Sequence, residues 1–419
     1  MQKAAHLGSS SLMREGVSIS LLNISSRAVS FVASAFAAQC VGASNFGVSG
    51  IIITWAMQVS LLFHGGLDPI VSREIAQHPA QSRNLLTAVA RFRLSIALLL
   101  ALLWVIITRL LVSAEQWAVW QLGAVLLLCN ALNLVYFFQG LGKLRTLNLI
   151  TAISSLLTAL IYSTFLPKMP LGSDLVVFVG LNVLSTAATW LVASMIIAPS
   201  HSPKLHTHRV FQLLGTSWKY WLVAVAQFFY TNFQLLILST AVPEQAIGAY
   251  RSALIIAGAL DMVFSSFYNL LLPRFVECHA AGEAVFNRER RNMLWLFVAI
   301  GIVPTGALIL SSSIIYDVLF GAEFAGGSFP LVFLACAKFI NFIGQIYAYT
   351  LIVNKQDTAV MTGCLTGSLA SIMLSLLLVR AYGTLAAAAS TLLGEAIITA
   401  LYLWFSLPKN THRWSRVAR

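Results

Sequence analysis

The chain is predicted to be an all-α integral membrane protein with about twelve transmembrane helices in two six-helix lobes, and three observations predict it. Of 419 residues, 58% are hydrophobic and 10% charged, with a mean hydropathy of +0.83, whereas a soluble domain is roughly 25% charged. Apolar stretches of about 20 residues, the length that crosses a hydrocarbon core, recur almost without pause. The second half of the chain also repeats features of the first in the same order.

The spans are placed at 16–39, 46–68, 92–112, 117–139, 147–166 and 175–198, then at 213–239, 247–272, 293–312, 328–352, 358–379 and 384–407. The apolar runs are continuous rather than alternating, which indicates helices and not a barrel. Connections are short, so no soluble domain is inserted. Residues 1–200 form the expected N-terminal lobe, 201–212 a cytoplasmic linker, 213–408 the C-terminal lobe and 409–419 a basic cytoplasmic tail.

Orientation follows from Lys and Arg. Alternate connections collect Arg73, Arg83, Arg91, Arg93, Lys143, Arg145, Arg274, Arg288, Arg290 and Arg291 with both termini on one side, leaving Arg109, Lys168 and Arg380 on the other. The positive-inside rule makes the richer side, and both termini, cytoplasmic. Glu115, Asp174, Glu244, Asp317 and Glu323 fall outside. This topology accounts for the net charge of +12 and calls for no nucleic-acid partner.

Several chemistries are excluded or set aside. No phosphate-binding G-x-x-x-x-G-K-[ST] loop is present, so the chain carries no ATP-driven motor. The 5 cysteines, Cys40, Cys129, Cys278, Cys336 and Cys364, form no CxxC pair and read as packing residues, with no metal or redox framework. His201, His206 and His208 suit a solvated linker better than a zinc site. No cofactor is implied. The small residues of ASAFAAQC would suit a signal-peptide cleavage site, but Arg27 interrupts the run and its length favours a retained span.

The repeat is seen by laying VGASNFGVS (41–49) over VPEQAIGAY (242–250), which pairs Val41 with Val242 and Gly47 with Gly248. Pro69 then falls near Pro273, each closing the second span of its half before a basic connection, and QGLGK before span five resembles IVNKQ before span eleven. A duplication of this kind gives parallel halves related by an axis along the membrane normal, the architecture of a rocking transporter.

Ionisable residues within spans are the candidate site: Arg27, Lys219, Arg251 and Lys338 are cationic, while Asp68, Asp261 and Glu395 are acidic. Each would cost about 2.5–3.5 kcal/mol facing lipid at mid-depth, so a protein-lined or wet interior is expected. Asp68 suits either a helix cap or a headgroup contact, and Lys219, beside Trp218, Tyr220 and Trp221, suits either a cavity or snorkelling to the interface. Arg27, Lys338 and Asp261 lie deeper. Glu395 fits a buried hydrogen bond as well as a lumen role. In GAYRSALIIAGALDMVFSSFYNLLLPR (248–274), Arg251 and Asp261 are separated by about 80° and about 15 Å on a helix, which forbids a pair between them. Each needs a partner elsewhere, or a ligand. The cationic surplus suits an anion, and Arg suits diphosphate oxygens. Gln227, Tyr230, Asn232, Gln234, Tyr268 and Asn269 offer sugar hydrogen bonds or helix packing alike.

These residues carry a resemblance. VGASNFGVSGIIITW with GGLDPIVSREIAQ resembles the opening spans of the O-antigen and polysaccharide flippases (Wzx type), although the usual Pro of the junction is missing. FFQGLGKLRTLNL (137–149) resembles their element after span four, and the eighth span ends in the expected Pro273-Arg274. LFGAEFAGG (319–327) resembles the connection before span ten, and YGTLAAAASTLLGEAIITALYL (382–403) the last span, with Thr384-Leu385 replacing the usual Gly-Ala. The soft motifs cover essentially the whole chain.

The resemblance implies the fold of the multidrug/oligosaccharidyl-lipid/polysaccharide (MOP) exporters, which drug-exporting MATE transporters share. It implies an oligosaccharide on undecaprenyl diphosphate as substrate, turned from the cytoplasmic to the periplasmic leaflet of the bacterial inner membrane. A polysaccharide polymerase and a chain-length regulator are the partners such a pathway supplies. Arg27, Arg251, Lys338 and, more weakly, Lys219 are assigned to the anionic head group, with Asp261 and Glu395 assigned to cation coupling or sugar contacts. Three alternatives stand. A drug-cation antiporter would want an acidic cavity, and a peptidoglycan-precursor flippase usually has about fourteen spans. An integral-membrane glycan polymerase or ligase would need a large outer loop with catalytic groups.

Overall fold

Glycines decide where the long apolar runs turn. The computed structural model describes residues 9–78, 82–165, 173–196, the positions 213, 215, 218, 221, 222 and 225, and residues 232–407. The helices, labelled in chain order, are α1 Ser9–His64, α2 Leu67–Gln77, α3 Ser82–Leu111, α4 Ala114–Ala131, α5 Val135–Gly140, α6 Leu144–Phe165 and α7 Ser173–Ile196. They continue as α8 Glu244–Ala280, α9 Glu283–Leu310, α10 Ser312–Leu319, α11 Ser328–Val353 and α12 Asp357–Phe405, with a 3-10 turn, Ala322–Gly327, before α11. No strand occurs among the described residues. The all-α membrane architecture expected from the apolar runs is what the chain adopts.

Helix α1 has 56 residues and α12 has 49, about 84 and 74 Å of continuous helix against a hydrocarbon core of about 30 Å. Neither is one rod. Gly42 breaks α1 at φ 77°, ψ 165°, and Gly383 breaks α12 at φ 56°, ψ −133°, conformations that a side chain strongly disfavours. These breaks are the junctions expected between spans one and two and between spans eleven and twelve. Around Gly383 the chain doubles back: Gly363 faces Tyr402, Gly367 faces Ile398, and Gly394 faces Ser371. The partner number falls by four as the first rises by four, the signature of an antiparallel helical hairpin. Small residues let its backbones approach closely.

Eight helices among the described residues are long and apolar enough to cross a membrane. Part of the difference from about twelve is that Asp357–Phe405 holds two of the predicted spans, and that span seven lies mostly outside the described residues.

The chain divides into two compact units, one with residues up to Val41 and Trp55–Leu222, the other with Gly42–Thr54 and the residues from Val223 onward. The first is centred on Leu67, Ile70, Val71, Leu85, Val89, Tyr136, Phe137 and Phe138, where the amphipathic α2 lies against α3 and α5. The second has a core of Leu260, Phe264, Phe275, Phe297, Phe342 and Ile346 from α8, α9 and α11. The segment Gly42–Thr54, numbered with the first half, packs in this second unit.

Candidate functional site

The polar groups of the second unit gather on α11. From Pro330 to Leu351 every residue of this helix is buried or half-buried, because α8, α9 and α12 enclose it. Phe342 is sandwiched between Phe264 at 4.0 Å and Phe297 at 4.3 Å between ring centroids, both stacked. Against that aromatic wall, Lys338 Nζ donates to Asp261 Oδ2 of α8 at 2.6 Å, yet the two side chains remain 29% and 42% exposed. No residue of the helix is fully exposed over that stretch, and an open ion pair facing hydrocarbon would be costly.

One turn on, Asn341 Nδ2 donates to both carboxylate oxygens of Glu395, at 2.9 and 3.0 Å. Glu395 is 4% exposed, so this amide contributes to satisfying a carboxylate withdrawn from water. The hairpin at Gly383 sets that contact by laying the second half of α12 along α11, where Gly344 admits Thr399. Tyr268 of α8 lies within electrostatic reach of Asp261, Glu395 and Tyr349.

Arg251 is placed differently. Its Nη1 donates to the carbonyl oxygen of Phe46, and its guanidinium carbon sits 3.9 Å from the centre of the Phe46 ring. This is possible because position 50 is glycine: a side-chain carbon there would collide with Arg251 Cδ. Nearby, Ser44 Oγ donates to Glu244 at 2.9 Å. Glu323 accepts the Ala43 amide at 3.2 Å and so caps the helix that restarts after the Gly42 break. Arg251 and Asp261, on one helix, have their separate partners in Phe46 and Lys338.

The remaining sequence candidates divide in two. Lys219, the linker and the basic tail lie outside the described residues, and for Arg27 only the helical backbone is described. Gln234, a possible sugar contact, is fully buried and donates to Ser371 Oγ at 2.9 Å, which is the packing role. Sequence reading passed over Asn341 and Gln345, although their spacing from Lys338 along one helix face would have found them. It also counted Arg93 among surface cations.

Arg93 is instead 0% exposed. Its Nη2 donates to Asp68 Oδ1 at 2.6 Å, and its guanidinium lies over the Tyr136 ring at 4.8 Å. His64 Nδ1 stands 3.6 Å from the other carboxylate oxygen of Asp68. Asp68 belongs to α2, outside the apolar spans. Burial disfavours its charge, but the His64 ring and the Arg93 guanidinium outweigh this and hold the carboxyl down at about 2. This cluster ties α2 to α3.

A two-unit helical membrane protein with paired charges inside its apolar helices fits the architecture of secondary transporters. Residues 12–279 match the family described as polysaccharide biosynthesis protein, and the chain belongs to that family. It is 22% identical over 403 residues to the probable low-salt glycan biosynthesis flippase Agl15 of Haloferax volcanii, covering 93% of this chain and 82% of the relative. The fold is similar to an inward-facing multidrug resistance MATE family transporter of the MOP superfamily (TM-score 0.66, 12% identity, 96% of this chain and 100% of the other). It is equally similar to the lipid II flippase MurJ in an inward closed conformation (TM-score 0.66, 14% identity, 95% and 89%). The chain is thus a multi-pass helical membrane protein of the polysaccharide biosynthesis family with the fold that these two transporters share.

Proposed function

We propose that the protein turns an undecaprenyl-diphosphate-linked oligosaccharide, a repeat unit of O-antigen or another surface polysaccharide, from the cytoplasmic to the periplasmic leaflet of a bacterial inner membrane. Both termini are cytoplasmic in this reading, and the two six-helix lobes of the sequence work by alternating access. The observation that carries it is the Lys338–Asp261 pair, open at mid-length of an enclosed apolar helix. An ammonium there gives the diphosphate a counter-charge in place of the water it leaves, while the prenyl tail stays in lipid.

Asp261 holds Lys338 until the ligand arrives, so binding is an exchange of one anion for another and stays modest enough for release. Arg251 joins the head group by exchanging the Phe46 carbonyl for phosphate oxygens. Arg27 and Lys219 belong to the same cationic set on sequence grounds. The likeness to a lipid II flippase supports a second reading, a peptidoglycan precursor, which shares the polyprenyl diphosphate; the glycan-flippase relative favours the first.

The test is Lys338→Gln in a cell whose own flippase is deleted. Surface polysaccharide is expected to fall severalfold at normal protein level. Unchanged surface polysaccharide would sink the headgroup role.

A further inference from the structure

We propose that the Asn341–Gln345 edge of α11 is a separate glycan-reading subsite, which binds the sugar hydroxyls and acetamido groups next to the diphosphate; this rests on the headgroup reading above. Lys338, Asn341 and Gln345 are spaced i, i+3, i+7. They fall within an arc of about 60° and rise about 10 Å along the helix, and all three are half-buried rather than sealed. Tyr349 continues the line one turn further, also half-buried, and Tyr268 approaches from α8, 5.7 Å from Phe342 between ring centroids.

Hydrogen-bond capacity along this line changes in kind. Lys338 offers donors only, which suits phosphate oxygens, whereas an amide offers a donor and an acceptor side by side, which suits a hydroxyl or another amide. Asn341 spends its NH2 on Glu395 and is thereby oriented, leaving its Oδ1 to the line. Among the described residues the one hydrogen bond of Gln345 is to that Oδ1, at 3.4 Å, too long to satisfy it. A primary amide at this depth, half-open and under-bonded, is costly unless something polar completes it. Gln345 presents an Oε1 acceptor beside its Nε2 donors, so a sugar hydroxyl or acetamido group satisfies both sides where a diphosphate, acceptors only, leaves Oε1 unused. The stripe therefore discriminates the glycan from the anion that carries it.

The experiment compares two lipids on the purified full chain in nanodiscs: undecaprenyl diphosphate, and the same lipid bearing N-acetylglucosamine. For the unsubstituted protein the sugar-bearing lipid is expected to bind more tightly. Gln345→Met is expected to weaken the sugar-bearing lipid about tenfold and to change the bare diphosphate by less than about twofold. Gln345→Ala is the second variant, and an unchanged melting temperature is the folding check for both. Equal weakening of both lipids, or of neither, overturns the subsite while leaving the headgroup reading standing. Failure of the unsubstituted protein to bind either lipid overturns both.

Discussion

Gly47 and Gly248 face each other reciprocally. A side-chain carbon on Gly248 would overlap the carbonyl oxygen of Ala43, four residues before Gly47, and one on Gly47 would overlap the carbonyl oxygen of Glu244, four residues before Gly248. These are the two glycines that the internal alignment pairs, and the relation between them is two-fold. Three residues on, the symmetry breaks: Gly50 leaves a gap that Arg251 fills.

Gly248→Ala and Gly47→Ala are therefore expected to cost about 1–3 kcal/mol each through overpacking of backbone against backbone. Gly258 is the control on the same helix, because a side-chain carbon there meets nothing within 4 Å. Gly258→Ala is expected to be neutral or to stabilise by about 0.5–1 kcal/mol. Thermal unfolding of the three variants in detergent checks this; equal effects would show that helix propensity, not the crossing, dominates.

The Lys338–Asp261 pair is open to its surroundings, so its stability contribution is small. Lys338→Ala or Asp261→Asn is expected to lower stability by about 1 kcal/mol or less, but to lower transport severalfold. The double variant is expected to recover stability and not transport. Complementation of surface polysaccharide, measured beside the melting temperature, separates the two effects.

Asp68 and Arg93 are unequal partners, with side chains 46% and 1% exposed. Asp68→Asn strands a fully buried guanidinium and is expected to cost about 3 kcal/mol. Arg93→Met fills the same volume and leaves a carboxylate that reaches solvent, so a smaller cost is expected. Denaturation midpoints should rank Arg93→Met above Asp68→Asn; the reverse order would mean that packing on Tyr136 outweighs the charge.

The same pair predicts a pH dependence. Because the Asp68 carboxyl is held down at about 2 in the folded protein, against about 4 in an unfolded chain, its contribution is present above pH ~4 and is lost as pH falls toward 2. The melting-temperature gap between the unsubstituted protein and Asp68→Asn should be constant above about pH 5 and close below about pH 3. A gap independent of pH would contradict the ion pair.

Much of this protein was legible in its residues. Runs of apolar side chains determined the helical membrane class, because hydrocarbon leaves the backbone no hydrogen-bond partner except itself. The span limits placed junctions at 40–45 and 380–383, where Gly42 and Gly383 break the helices, and helical geometry alone ruled out a pair between Arg251 and Asp261. Tertiary structure decided which groups meet: Asp261 with Lys338, Arg251 with Phe46, Glu395 with Asn341, and Arg93 buried rather than at the surface. Those partners lie 77, 205, 54 and, for Arg93 with Asp68, 25 residues apart. An intramembrane charge must be compensated somewhere, and that much follows from the solvent. Where it is compensated depends on how close-packed helices cross, which is set by many small steric fits at once and is written in no single stretch of the chain.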